Sequence, residues 1–126
     1  MTVPPLSTHC ILELHGCDCQ LLNDETFVRH ALTDASRQGM STLLKLVSHQ
    51  FDPQGVTALA LLAESHMSIH TWPENGYAAI DVFTCGRSAN PQAAVVFLTE
   101  RFSAAEHSLR TLTRGVGESV SCPVPS

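Results

Sequence analysis

The alternation of apolar and polar positions divides the chain into strands and helices before any chemistry is considered. Residues 9–15, HCILELH, follow the two-residue period of a strand and stop at Gly16. Phe27, Val28, Ala31, Leu32 and Ala35 then recur at ones, threes and fours, the spacing of one helix face. Asn23 is expected to cap that helix, with Asp24 and Glu25 in its first turn and Gly39 at its end. Strands are expected over 41–50, 56–63, 66–72 and 77–84. The turn-forming run Phe51-Asp52-Pro53-Gln54-Gly55 separates the first two, and Pro73-Glu74-Asn75-Gly76 joins the last two as a hairpin. A second helix opens with Asn90 as cap and Pro91 at its first position, and buries Ala94, Val95, Leu98 and Phe102. A last strand covers 107–113. Pro4-Pro5 makes residues 1–8 a loose lead-in, and residues 116–126 read as a flexible tail.

The resulting order, β-α-β-β-β-β-α-β, predicts an α+β fold of a single domain spanning residues 1–126. It is a two-layer sandwich, a mainly antiparallel sheet with two helices covering one face. Met67, Ile69, Thr71, Ala78, Ile80 and Val82 are assigned to the covered face. His66, Ser68, His70, Trp72, Tyr77, Asp81, Phe83 and Cys85 are assigned to the other. The strand at 56–63 is apolar on both faces, so it asks for cover on both sides. One chain has helices for one side only, and a second copy is expected on the other.

Composition narrows the function classes. A hydrophobic fraction of 44% with 15% charged residues fits a packed core. A net charge of -5 disfavours nucleic acid as a partner, since that needs a basic patch. No run approaches the roughly 20 apolar residues of a membrane span, and MTVPPLSTHC lacks the pattern of a secretion signal. Five cysteines are an odd number without secretory context, which points to reduced thiols and a cytoplasmic protein. Cys17-Asp18-Cys19 has no second pair to complete a zinc knuckle.

Reactive side chains concentrate in one stretch. From Glu64 to Glu74, and on through Asp81 to Gly86, the chain offers histidines, hydroxyls, acids and a thiol within about two strand lengths. On residue types alone these are also ordinary occupants of a half-exposed strand face. A metal site from His66, His70 and Cys85 is a poor fit. His66 and His70 lie about 13 Å apart along one strand, whereas one ion needs bonds near 2 Å.

The run ESHMSIHTWPENGYAAIDVFTCG resembles the signature of the prokaryotic S-adenosylmethionine decarboxylases, pyruvoyl-dependent enzymes of polyamine synthesis. HCILELHGCD and Phe51-x-Pro-x-Gly-Val-Thr57 extend the resemblance to residues 9–114. Departures are confined to Cys17-Asp18-Cys19 and the Pro-rich tail.

The resemblance implies self-cleavage between Glu64 and Ser65 into a β chain, 1–64, and an α chain, 65–126. Ser65 would attack the Glu64 carbonyl, shift the peptide bond to an ester and, after β-elimination, become a pyruvoyl group. That group is the cofactor, and no separately bound cofactor is implied. Its ketone condenses with the substrate amine and its amide carbonyl withdraws electrons, the role PLP plays elsewhere. By the same resemblance His70 is the proton acceptor in processing, and Thr57 has a processing role. Cys85 is the proton donor after CO₂ leaves, a thiol being mostly protonated at neutral pH. Phe51 is the candidate for stacking on adenine. Glu74 is left between binding ribose hydroxyls, binding the charged end of the substrate, and being a solvated turn residue. Trp72 reads as interface packing, and His66 carries no role. An (αβ)₂ assembly is implied, its sheets packed face to face as αββα with active sites near the interface. Two alternatives remain open: a decarboxylase of the same fold acting on arginine or ornithine, and a non-processing regulatory or binding relative.

Overall fold

The computed structural model describes residues 6–86 and 88–115. Among them six strands form one antiparallel sheet: β1 (Leu6–His15), β2 (Leu43–Gln50), β3 (Val56–Leu62), β4 (Ser65–Trp72), β5 (Tyr77–Cys85) and β6 (Glu106–Gly115), ordered β2-β3-β4-β5-β1-β6. Helices α2 (Glu25–Gln38) and α3 (Pro91–Arg101) pack on one face, and the four-residue α1 (Cys19–Leu22) precedes them. The sequence thus specified the fold class, all six strands and both long helices.

The period-two patterns drive this arrangement. Leu12, Leu14, Ala58, Ala60, Met67, Ile69, Ile80 and Val82 point to the helical layer and are fully buried against Val28, Ala31, Leu32, Leu98 and Phe102. Each large member stabilises the fold by about 1.5–3 kcal/mol relative to exposure. The alternate positions form an open face. Leu59 (45%) and Leu61 (51%) are exposed there, as are Val47, Trp72 and Leu112, so β3 is apolar on a face that the described residues leave bare.

Several expectations are corrected. Asn23 does not cap the long helix: Asp24 does, its Oδ1 accepting from Phe27 N at 3.0 Å. Asn23 instead ends α1, which Asp18 caps and which periodicity did not reveal because four residues show no face. β1 starts at Leu6, not His9, because residues 6–8 pair with both β5 and β6 or with β6 alone. β6 likewise extends two residues further at its C-terminal end. The hairpin turn at 73–76 forms as expected, and it is a single 3₁₀ turn closed by Gly76 in the left-handed region (φ 59°). The remainder of the expected lead-in, residues 1–5, and the tail, 116–126, lie outside the described residues.

Candidate active site

Two groups of functional side chains stand at opposite ends of β4. The first surrounds the junction of β3 and β4. Leu62 pairs with Ser65, so Ala63 and Glu64 make a two-residue turn, and Ser65 also pairs with Thr84 beside the end of β5. That register brings Cys85 against the turn. Its backbone N–H donates to the Glu64 carbonyl oxygen at 3.0 Å, and its thiol donates to the same oxygen at 2.9 Å. The Glu64 carboxylate is turned away and accepts from Thr42 N at 2.9 Å. Two donors on one carbonyl stabilise negative charge that develops on its oxygen. Ser65, the adjoining residue, has a β-hydroxyl that can act as nucleophile and later as leaving group, so the residues present fit a pyruvoyl precursor.

The second group lines a cleft of about 370 Å³ together with Gln54 and Gly55: Phe51, Thr57, His70, Trp72 and Glu74. Thr57 and His70 are direct cross-strand partners, and Thr57 Oγ1 lies 2.9 Å from His70 Nδ1. That contact occupies one ring nitrogen and leaves the other, Nε2, for proton transfer. Phe51 is 47% exposed, with the His49 ring edge-on to it at 4.6 Å. The turn that carries Phe51 is fastened from the helical layer: Asn23 Oδ1 accepts from Gly55 N at 2.9 Å and from Gln50 Nε2 at 3.0 Å. Glu74 stands exposed on the 3₁₀ turn at the rim.

The fold therefore brings Glu64, Ser65 and Cys85 together, and separately Phe51, Thr57, His70 and Glu74. It does not bring His70 to Ser65. Five residues of extended strand separate them, about 16 Å. Between the two groups the open face carries Leu59 and Leu61, which line a shallow apolar cleft of about 320 Å³ with Lys45, Val47, Ala60 and His66. The sequence assigns His66 no role, yet its Nδ1 lies 3.4 Å from Ser65 Oγ. The double contact of Cys85 on Glu64 was also not foreseen, since it depends on the β4–β5 register. Among the described residues no three His, Cys, Asp or Glu side chains converge as a metal site requires.

Two further features shape the open face. His9 Nε2 is 2.9 Å from Asp81 Oδ1, and Phe83 lies between the rings of His9 and His66 with the Arg114 guanidinium 4.8 Å from its centre. At the end of β4 that carries His70, Tyr77 donates to Glu13 and stacks on Trp72 and His15. The Glu13 carboxylate, through that hydrogen bond, and then burial hold the Tyr77 phenol up at about 12.

Comparison with known proteins gives a consistent result. Residues 8–115 match the family model of S-adenosylmethionine decarboxylase. The chain is 57% identical over 106 residues to an S-adenosylmethionine decarboxylase proenzyme from Prochlorococcus marinus (strain MIT 9313), covering 84% of this chain and 85% of that one. It is 41% identical over 113 residues to the proenzyme of that name from Acetivibrio thermocellus, covering 90% and 91%. The fold superimposes on the crystal structure of the adenosylmethionine decarboxylase from Aquifex aeolicus with a TM-score of 0.85 at 31% identity. That match covers 96% of this chain and all of the other.

Proposed function

The chain belongs to the S-adenosylmethionine decarboxylase family, and we propose that it makes its own cofactor by self-cleavage between Glu64 and Ser65. It converts S-adenosylmethionine to its decarboxylated form and CO₂. The observation that carries the self-cleavage is the pair of Cys85 donors, 2.9 and 3.0 Å from the Glu64 carbonyl oxygen and next to the Ser65 hydroxyl. When Ser65 Oγ attacks that carbonyl, the oxygen becomes an oxyanion and the two donors are already in place. The peptide bond becomes an ester. Removal of the Ser65 α-proton then expels the main-chain carboxylate of Glu64 by β-elimination, and hydrolysis of the resulting dehydroalanine releases ammonia and leaves the pyruvoyl end. The product chains are residues 1–64 and 65–126.

The pyruvoyl group supplies an electron sink bonded to the substrate nitrogen. This chain's residues do the rest. Cys85 ends β5 against the Glu64 carbonyl that precedes Ser65, where its thiol can return a proton to the α-carbon. Phe51 presents an apolar ring for adenine, and Glu74 at the cleft rim accepts from ribose hydroxyls. The adenosyl-sized cleft with its aromatic ring favours this substrate over arginine or ornithine.

The proton acceptor of processing is His70, held by Thr57, and we assign it to a second copy of the chain. About 16 Å separates His70 from Ser65 within one chain, whereas proton transfer needs about 3 Å or one bridging water. The exposed Leu59, Leu61 and Val47 lie between the two groups and give a two-fold dimer its apolar contact. Packing two open faces together sets the Thr57–His70 end of one copy against the Ser65–Cys85 end of the other. The assembly is then an (αβ)₂ αββα dimer with two shared sites.

No helix among the described residues is long and apolar enough to cross a membrane. The free thiols of Cys10, Cys17, Cys19 and Cys85 support placing the enzyme in the reducing cytoplasm. An intact mass spectrum, followed by incubation with S-adenosylmethionine labelled in its carboxyl, tests the reading. Two fragments meeting at Glu64/Ser65, the second with a pyruvoyl end, and labelled CO₂ are expected. Cleavage without CO₂ would point to arginine or ornithine, and a single uncleaved chain to a non-processing relative.

A further inference from the structure

Ester formation has a requirement that the groups assigned so far do not meet. The Ser65 hydroxyl is a weak nucleophile until a base takes its proton, and the Ser65 amide nitrogen must gain one to leave. Cys85 faces the Glu64 oxygen as a donor, and the Glu64 carboxylate is held by Thr42 N. His70 in the same chain is five residues away along β4. Among the described residues, the side chain in hydrogen-bonding reach of Ser65 Oγ is His66, with Nδ1 at 3.4 Å. Its imidazole is not loose: His66 pairs with Phe83 across β4 and β5, and the Phe83 ring meets it edge-on at 5.4 Å. Phe83 is in turn fixed by the Arg114 guanidinium on its face and by His9, which Asp81 holds.

We infer that His66 is a second catalytic histidine, the base that activates Ser65 for ester formation, distinct from the His70 that acts in elimination. This rests on the self-cleavage reading and adds an earlier step to it. Nδ1 accepts the Oγ proton as the Oγ–C bond to Glu64 forms, and the Glu64 carbonyl electrons move onto the oxygen held by Cys85. Collapse re-forms the carbonyl and breaks the C–N bond, and the proton on Nδ1 passes to the departing Ser65 nitrogen. The proton starts on the hydroxyl and ends on the amine, so no outside reactant enters. A contact of 3.4 Å is long for a hydrogen bond at rest. Contacts of a general base commonly tighten only as the reaction begins.

The test separates the two histidines by the intermediate each variant leaves behind. Full-length wild type, His66→Asn, His66→Gln and His70→Ala chains are refolded uncut, and cleavage is followed by intact mass with and without hydroxylamine. Equal thermal melts against Ser65→Ala establish that each variant is folded. Loss of His66 is expected to slow cleavage by about 10²-fold or more, the usual range of general acid–base catalysis. The uncut His66 variants should resist hydroxylamine, because their Glu64–Ser65 link is still an amide. His70→Ala should be cut by hydroxylamine, because it stops at the ester. Wild-type cleavage rates in both folded His66 variants would overturn the assignment and leave the self-cleavage reading intact. So would a hydroxylamine-sensitive ester accumulating in them. A wild-type chain that never cleaves would instead remove the reading beneath it.

Discussion

Mixing two inactive variants tests whether the site is shared between copies. Ser65→Ala removes the proposed nucleophile but keeps the Thr57–His70 pair, whereas His70→Ala removes the proposed base but keeps Ser65 with Cys85. The two positions lie about 16 Å apart along β4, against the roughly 3 Å of direct proton transfer, and no side-chain rotation spans the difference. Unfolding the variants and refolding them together in equal amounts gives roughly half mixed dimers by random pairing. In each mixed dimer one site joins Ser65 of the first chain to His70 of the second, and the other site has neither. Roughly half of the His70→Ala chains should therefore be cut, and none of the Ser65→Ala chains. Decarboxylation should return to roughly a quarter of the wild-type value, one intact site for every four chains. Intact mass identifies which variant each fragment came from. Efficient cleavage of His70→Ala on its own would refute the shared site. So would a refolded mixture that stays uncut under conditions in which the wild type cleaves.

Leu59→Asp, placed on the bare apolar face, should shift the dimer towards monomer by at least about tenfold in dissociation constant. Light scattering checks this, and an unchanged dimer would show that the face is not the interface. Phe51→Ala should leave cleavage intact and raise KM roughly two- to tenfold, the loss of a stacking contact worth about 0.5–1.5 kcal/mol. An unchanged KM would exclude Phe51 from the substrate. Asn23→Ala frees the turn carrying Phe51 and should raise KM in the same direction, with Asn23→Asp, which keeps the acceptor, restoring it. Loss of affinity in Asn23→Asp equal to that in Asn23→Ala would refute the clamp. The Tyr77 phenol, held at about 12, binds its proton more tightly folded than unfolded, where its value is near 10. Its contribution to stability is therefore full below pH 10 and is lost as pH rises towards 12. Tyr77→Phe should flatten that part of the alkaline denaturation profile.

The elements that were legible in the sequence are those whose periodicity is long. β3 to β5 announced their faces residue by residue, and the helix-facing set Met67, Ile69, Ala78, Ile80 and Val82 is buried as their alternation required. What was hidden depends on register or on competition between neighbours. Asn23 and Asp24 are both good caps, and only the position of the 51–55 turn decides that Asn23 is drawn away from the helix. A motif placed His70 and Ser65 in one line of text, which says nothing of the length of strand between them. His66 is indistinguishable in sequence from any polar residue on an open strand face. It acquires meaning only when Phe83 holds its ring beside the Ser65 hydroxyl.

The strand order β2-β3-β4-β5-β1-β6 has a consequence for the folding reaction. A cut before Ser65 leaves β1, β2 and β3 on one fragment and β4, β5 and β6 on the other. The two are interleaved, since β1 lies between β5 and β6 of the opposite fragment and β3 borders β4. Before the cut, assembling this sheet is a first-order process within one chain. After it, the same sheet needs two molecules to meet and one of them to slot β1 between β5 and β6 of the other. Cleavage at that position would thus act as a one-way gate in time, and a protein denatured afterwards should recover at a rate that depends on its concentration.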